Sequence, residues 1–163
     1  MVRRVTAEDA AHVRALRLEM LADAPLAFLE TLDEAAARPH ADFRRAIADR
    51  STGDEAAQFV ADDSGWLVGH AAGVASRHDP ATTLLVAVYV TPAHRGTGLL
   101  ERLVDSVAEW SREAGRRRLV LEVITGNRRA VRAYQRIGFV DTGMRAPHPR
   151  IPVLSELTMA RDL

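Results

Sequence analysis

Hydrophobic positions along the chain follow two rhythms. Alternation or short unbroken apolar runs predict strands at Val2–Val5, 58–61, Trp66–Ser76, Thr83–Val90, Leu119–Ile124, Phe139–Met144 and Val153–Met159. Apolar residues three and four apart predict helices from Thr6 to Asp23, Asp42–Arg50, Leu99 to Gly115 and Asn127 to Ile137. Thr6 suits an N-cap, with acids following it in the first turn. Gly115 and Gly138 suit helix ends. Phe28, Leu29 and Leu32 fit a helix or an ordered loop equally well, so 26–40 has no assignment. Asp62–Gly65 reads as a hairpin turn. Gly69 and Gly73, inside the return strand, mark bulges or a close backbone approach. Thr83–Val90 is apolar at successive positions, which predicts a central strand buried on both sides. The order βααβββαβαββ, with no repeat or linker, predicts one mixed α/β domain over residues 1–163.

Composition narrows the chemistry. The 163 residues contain no cysteine, which excludes disulfides, a thiolate nucleophile and cysteine zinc sites. All 22 basic residues are arginine, so there is no Schiff-base lysine and no lysine-bearing P-loop. The longest apolar run, Leu84–Val90, is far shorter than the ~20 residues of a membrane-spanning helix. Met1–Thr6 has no secretory apolar stretch, so a cytoplasmic protein is expected. The six histidines lack HxH or HExxH spacing, and no metal site is expected. Net charge is zero but uneven: residues 1–79 hold 9 Arg against 14 acids, and residues 80–163 hold 13 against 8. Seven arginines crowd 116–136 with Glu122 as the one acid among them. This favours an anionic ligand on the C-terminal half, or a solvated helix face. No aromatic residues interleave with that cluster, which argues against nucleic acid.

The most informative segment is Val88–Leu100, which contains Arg95-Gly96-Thr97-Gly98-Leu99-Leu100. A strand feeds a glycine-containing loop that opens a long helix. Exposed backbone N–H groups, the helix N-terminus and Arg95 together make a site for phosphate or pyrophosphate. A Rossmann fingerprint would need a third glycine where Glu101 stands.

The segment resembles the Arg/Gln-x-x-Gly-x-Gly/Ala motif of the GCN5-related N-acetyltransferase (GNAT) superfamily, matching at Arg95 and Gly98 and departing at Leu100. Asn127, Ala130, Tyr134, Gly138 and Phe139 are similar to a second signature of that family, and the element order agrees over nearly the whole chain. The resemblance implies a GNAT fold, a mixed and mostly antiparallel sheet of about seven strands flanked by about four helices. It also implies acetyl-CoA-dependent transfer of an acetyl group to a primary amine by direct attack in a ternary complex. The alternative is a non-catalytic acyl-CoA-binding domain.

Carried over by position, Gly96, Thr97, Gly98, Leu99 and Leu100, with Arg95, would hold the pyrophosphate. Tyr89 and Val90 would pair with the pantetheine arm, Asn127 would contact it, and the arginines of 116–136 would serve the remaining phosphate. The Val90 N–H is an expected oxyanion donor. Tyr134 would bind the cofactor and protonate the departing thiolate; its alternative is a packed core tyrosine. The central strand has no carboxylate, so Glu122 is the expected base, in a position similar to the catalytic glutamate of ribosomal-protein N-terminal acetyltransferases, or else a partner of a nearby arginine. Phe28 and His148 fall where the family builds its acceptor pocket. The final strand, Leu154–Met159, is where a homodimer would form.

Overall fold

A computed structural model describes residues 1–163. Seven strands form one sheet in the order β1-β2-β3-β4-β5-β7-β6. They are β1 (Val2–Arg4), β2 (Ala56–Asp63), β3 (Trp66–Ala75), β4 (Thr82–Val90), β5 (Arg118–Ile124), β6 (Val140–Pro147) and β7 (Ser155–Asp162). Five helices pack on it: α1 (Ala10–Asp23), α2 (Leu32–Ala37), α3 (His40–Ser51), α4 (Leu99–Glu113) and α5 (Arg128–Arg136). One helix more than expected comes from the unassigned segment. There Thr31 and Glu34 form a capping box, with each side chain bonded to the other's backbone N–H, and this starts α2.

Each face of the sheet has its own core. Leu99, Leu103, Val104, Val107 and Trp110 of α4 pack with Phe59, Ala71, Leu85, Leu119, Leu121 and Met159. Ala130, Val131, Tyr134 and Ile137 of α5 join the same side. On the other face, Val13, Ile47 and Val60 form one cluster, and Leu16, Met20, Leu21, Ala35 and Tyr89 another. Gly73 is where α4 approaches most closely. A Cβ there would meet Trp110 Cζ3 at 2.7 Å and Val107 Cγ1 at 2.8 Å, so the close-approach reading of this glycine is the correct one.

Two features of β4 shape the functional face. The first is a bulge: His70 pairs with Tyr89 but Ala72 with Val86, and Ala87 between them takes φ +53°. The extra residue reverses the side-chain alternation, so Val86 and Tyr89 share a face although three positions apart. The second is a splay. β4 and β5, the parallel pair, are bonded only from Thr82–Leu84 to Arg118–Val120, then separate.

The expectation that β4 is buried on both sides is therefore corrected: Leu84 and Val86 are 39% and 40% exposed. No helix covers them, because α1–α3 stop short of the splay and leave a cleft. The last strand is corrected too. It begins at Ser155, after Pro152 and an exposed Val153, and lies between β5 and β6. The sheet's edges are β1 and β6, and all eight residues of β6 are exposed.

Candidate active site

The splay opens into a cleft of about 1280 Å³. Four groups of residues give it its chemistry.

At one end, the loop from Pro92 to Gly98 enters α4. Gly96 and Gly98 hold φ of +80° and +75°, which turn the backbone so that successive N–H groups point outward. The N–H groups of Gly96, Thr97, Gly98, Leu99 and Leu100 find no acceptor in the protein. Five consecutive free donors at the start of a fifteen-residue helix form the kind of arrangement that receives an anion. Leu100 packs against the α4 core at the cleft wall.

The Arg95 side chain is less free than the sequence suggests. Its Nε donates to Val90 O at 3.0 Å and its Nη2 to Asp23. Arg95 thus ties the loop to the end of β4 and to α1. The expectation for 116–136 also divides. Arg116 is buried over the Trp110 ring and donates to Asp54 O, whereas Arg129, Arg132 and Arg136 of α5 line the cleft.

In the middle stand β4 and α5. Thr91 N bonds Val68 O and Tyr89 pairs with His70, so ladder alternation turns the backbone of Val90 away from β3 and toward the splay. Its carbonyl takes Arg95 Nε, and its N–H remains as a donor facing the gap. The Tyr89 side chain leaves the cleft floor and packs among α1 residues, donating its hydroxyl to Glu19 Oε1 at 3.2 Å. Asn127 caps α5 by accepting from Ala130 N at 3.2 Å, which leaves its amide nitrogen free. Tyr134 packs edge-on against Phe139, with ring centroids 5.7 Å apart. Its hydroxyl has no protein partner, and burial of the ring against the core raises its pKa, so it stays protonated.

On the far side of the splay, Glu122 of β5 and Glu156 of β7 reach the same space. Glu156 pairs with Ile124, and Glu122 with Thr158. Burial and then the neighbouring Glu122 raise the Glu156 pKa, while His148 opposes the rise. His148 is 3% exposed, and its Nδ1 accepts from the N–H groups of Arg150 and Ile151 at 3.2 and 3.1 Å. The ring proton is therefore assigned to Nε2, which lies 3.8 Å from Glu156 Oε1. Glu156 escaped the sequence reading because only the β5–β7 register brings it beside Glu122. Arg150 ties this loop to α2 through two bonds to Glu34 of 2.7 Å each.

Beyond β3 the cleft continues past Gln58 and His70 to Arg17, Arg38, Arg50, Glu30 and Phe28 under α1–α3. Phe28 and His148 both line the cleft, and Phe28 lies 5.6 Å below the Arg17 guanidinium.

The acetyltransferase (GNAT) family model matches residues 19–139, which include the glycine loop, the splay, Asn127 and Tyr134. The chain belongs to the GNAT family. It is 40% identical over 57 residues to streptothricin acetyltransferase of Streptomyces lavendulae, a match covering 35% of this chain and 30% of that protein. It is 32% identical over 100 residues to N-alpha-acetyltransferase RimI of Mycobacterium tuberculosis, covering 60% of this chain and 61% of that one. The chain thus spans less than two thirds of the curated relatives it matches. The structure of yncA from Salmonella typhimurium, solved with its cofactor acetyl-CoA, superposes with a TM-score of 0.80 over 100% of this chain and 93% of that one, at 20% identity. The GNAT fold of this chain, a seven-stranded mixed sheet with five helices, follows from the topology and from this likeness.

Proposed function

We propose that the chain is an acetyl-CoA-dependent N-acetyltransferase, a single GNAT domain over residues 1–163 that acetylates a primary amine by direct attack. One observation carries the reading: five unsatisfied N–H groups, Gly96 to Leu100, open onto a splay whose strand edge is unpaired. A diphosphate joined to an amide-bearing arm satisfies both. The family match supports acetyl-CoA, and the likeness to an N-alpha-acetyltransferase supports an amine acceptor.

Acetyl-CoA supplies the acetyl group as an activated thioester. Gly96–Leu100 hold its diphosphate, with Arg95 as the tie that fixes the loop and the α5 arginines nearby. The β4 edge at Val90, through its carbonyl, and the amide nitrogen of Asn127 hold the pantetheine arm, while Tyr89, paired with His70, supports that edge from the β3 side. Glu156, with Glu122 beside it, takes the proton of the acceptor ammonium so that the nitrogen lone pair can attack. The Val90 N–H donates to the acetyl oxygen, where negative charge gathers. Tyr134 gives its proton to the departing sulfur. A phenol and a thiol have unperturbed pKa values of about 10 and 8.5, and burial keeps the proton on Tyr134 until the sulfur needs it.

Calorimetry with acetyl-CoA and a thiol-release assay over a panel of amines test this. Saturable coenzyme uptake with amine-dependent thiol release is expected. Gly98→Val should lower coenzyme affinity at least tenfold, because a β-branched residue cannot hold φ +75° and would realign the donors. Uptake without thiol release for any amine would favour the non-catalytic acyl-CoA-binding alternative.

A further inference from the structure

The cleft is charged with opposite sign at its two ends. Glu122 and Glu156 stand at one end, on β5 and β7. Arg17, Arg38 and Arg50 stand at the other, on α1, the α2 end and α3. One carboxylate, Glu30, bridges Arg17 and Arg38. The Arg50 guanidinium, desolvated by burial, has no hydrogen bond or ion pair in the protein. Asp49, its neighbour on α3, acts on it only through space. Below lie two more polar side chains with atoms left unbonded in the protein. Gln58 is 4% exposed and its carboxamide is unbonded. His70 is 2% exposed; its Nε2 faces Met20 Sδ at 2.8 Å and its Nδ1 has no partner. A half-buried cationic head that lines the cleft without a counter-ion leaves a place for an anionic group of a ligand. From β3, under the arginines, the sheet runs two strand spacings to Glu122 on β5 and three to Glu156 on β7, roughly 10 and 15 Å between backbones, a gap the arginine and glutamate side chains shorten. The Ala87 bulge lies between them.

We infer that the acceptor is a small amine that also bears a carboxylate, as an amino acid does, with its carboxylate on Arg50 and Arg17 and its ammonium held toward Glu156 and Glu122. The inference rests on the proposed acetyltransferase reading and names the substrate class of that site. The same arginines disfavour a polycation, whose second ammonium would fall among like charges. A protein N-terminus gives Arg50 no carboxylate in the right place.

Calorimetry on the CoA-saturated protein tests it with matched pairs: methionine against 3-(methylthio)propylamine, and phenylalanine against phenethylamine. In at least one pair the carboxylate-bearing partner should bind tenfold or more tighter. Arg50→Gln should weaken that partner by about ten- to a hundredfold, with little effect on the decarboxylated amine or on CoA. Arg50→Lys should restore part of the loss. A second readout is independent of transfer. The His70 ring is held to a pKa of about 3 by burial and by Arg17 and Arg50. A carboxylate beside those arginines should move its imidazole NMR titration upward, with or without CoA. If carboxylate-free amines, a polyamine or a peptide N-terminus bind as well as the amino acids, or if no amino acid binds, the inference is overturned. It is likewise overturned if His70 titrates unchanged in their presence. Failure to bind CoA would instead overturn the acetyltransferase reading, which the first titration reports separately.

Discussion

At the scale of single residues the proposed proton path rests on Tyr134 and two carboxylates, and their environments make it testable. Tyr134→Phe should lower kcat by about tenfold or more while leaving acetyl-CoA affinity within about twofold, because the ring's packing on Phe139 survives and only the proton is lost. Equal turnover in a steady-state assay would show that another group protonates the sulfur. The base predicts a pH signature. Glu156 is raised by burial and by Glu122, so the rate should climb with pH as Glu156 ionises, with a midpoint above the ordinary carboxylate range. Glu122→Gln removes the like charge and should move that limb to lower pH, whereas Glu156→Gln should abolish it. A limb unmoved by Glu122→Gln would separate the two carboxylates. At this scale the sequence is informative where a motif fixes geometry locally, as at Gly98, Asn127 and Tyr134. It is silent where function needs register: Glu156 meets Glu122 only through strand pairing, and Arg50 meets His70 only through the packing of α3 on the sheet.

At the scale of elements, local rules explain what was legible. Helical periodicity finds α1, α3, α4 and α5, and alternation finds all seven strands within a few residues of their ends. The Thr31–Glu34 capping box that starts α2 is written in the sequence, but six residues are too few for a helical period to stand out. The β4 bulge is invisible in the pattern because residues on both sides of it are apolar, so a reversal of alternation leaves no trace. It also carries strain, since Ala87 sits at φ +53°. Ala87→Val should cost about 2 kcal/mol in chemical denaturation, a β-branched residue being poorly tolerated there. It should also lower turnover, because the bulge aims the Val90 region at the splay. Gly73 tests the other side of the sheet. Gly73→Ala places a methyl within 3 Å of Trp110 and Val107 and should destabilise by about 1–3 kcal/mol, with acetyl-CoA affinity little changed in the folded fraction. Wild-type stability would mean that α4 can recede from β3.

At the scale of the whole molecule, one sheet carries two cores with different duties. The α4–α5 side is apolar throughout and supplies the rigid wall that presents the glycine loop. The α1–α3 side encloses charged and polar groups, and that half sets the response to acid. His70 has a folded pKa of about 3 against an ordinary value of 6.5, so between those values the unfolded chain binds the extra proton. Its contribution is fully present above pH ~6.5 and is lost as pH falls through the interval, with a limiting slope of about 1.4 kcal/mol per pH unit. Asp9 acts lower. Its bond to Arg3, at 2.7 Å, holds it to about 2 against an ordinary 3.8, so its contribution is complete above pH ~3.8 and fades below. The protein should therefore weaken in two stages, first between pH 6.5 and 4 and then below 4. His70→Gln, which cannot titrate, should flatten the first stage and leave the second, as read from urea midpoints at pH 7.5, 6, 5 and 4. A midpoint that falls equally in wild type and His70→Gln would move the cause away from the chamber under α1–α3. If the first stage is instead suppressed in wild type by adding an amino acid, the chamber that governs acid stability is the one that receives the acceptor's carboxylate.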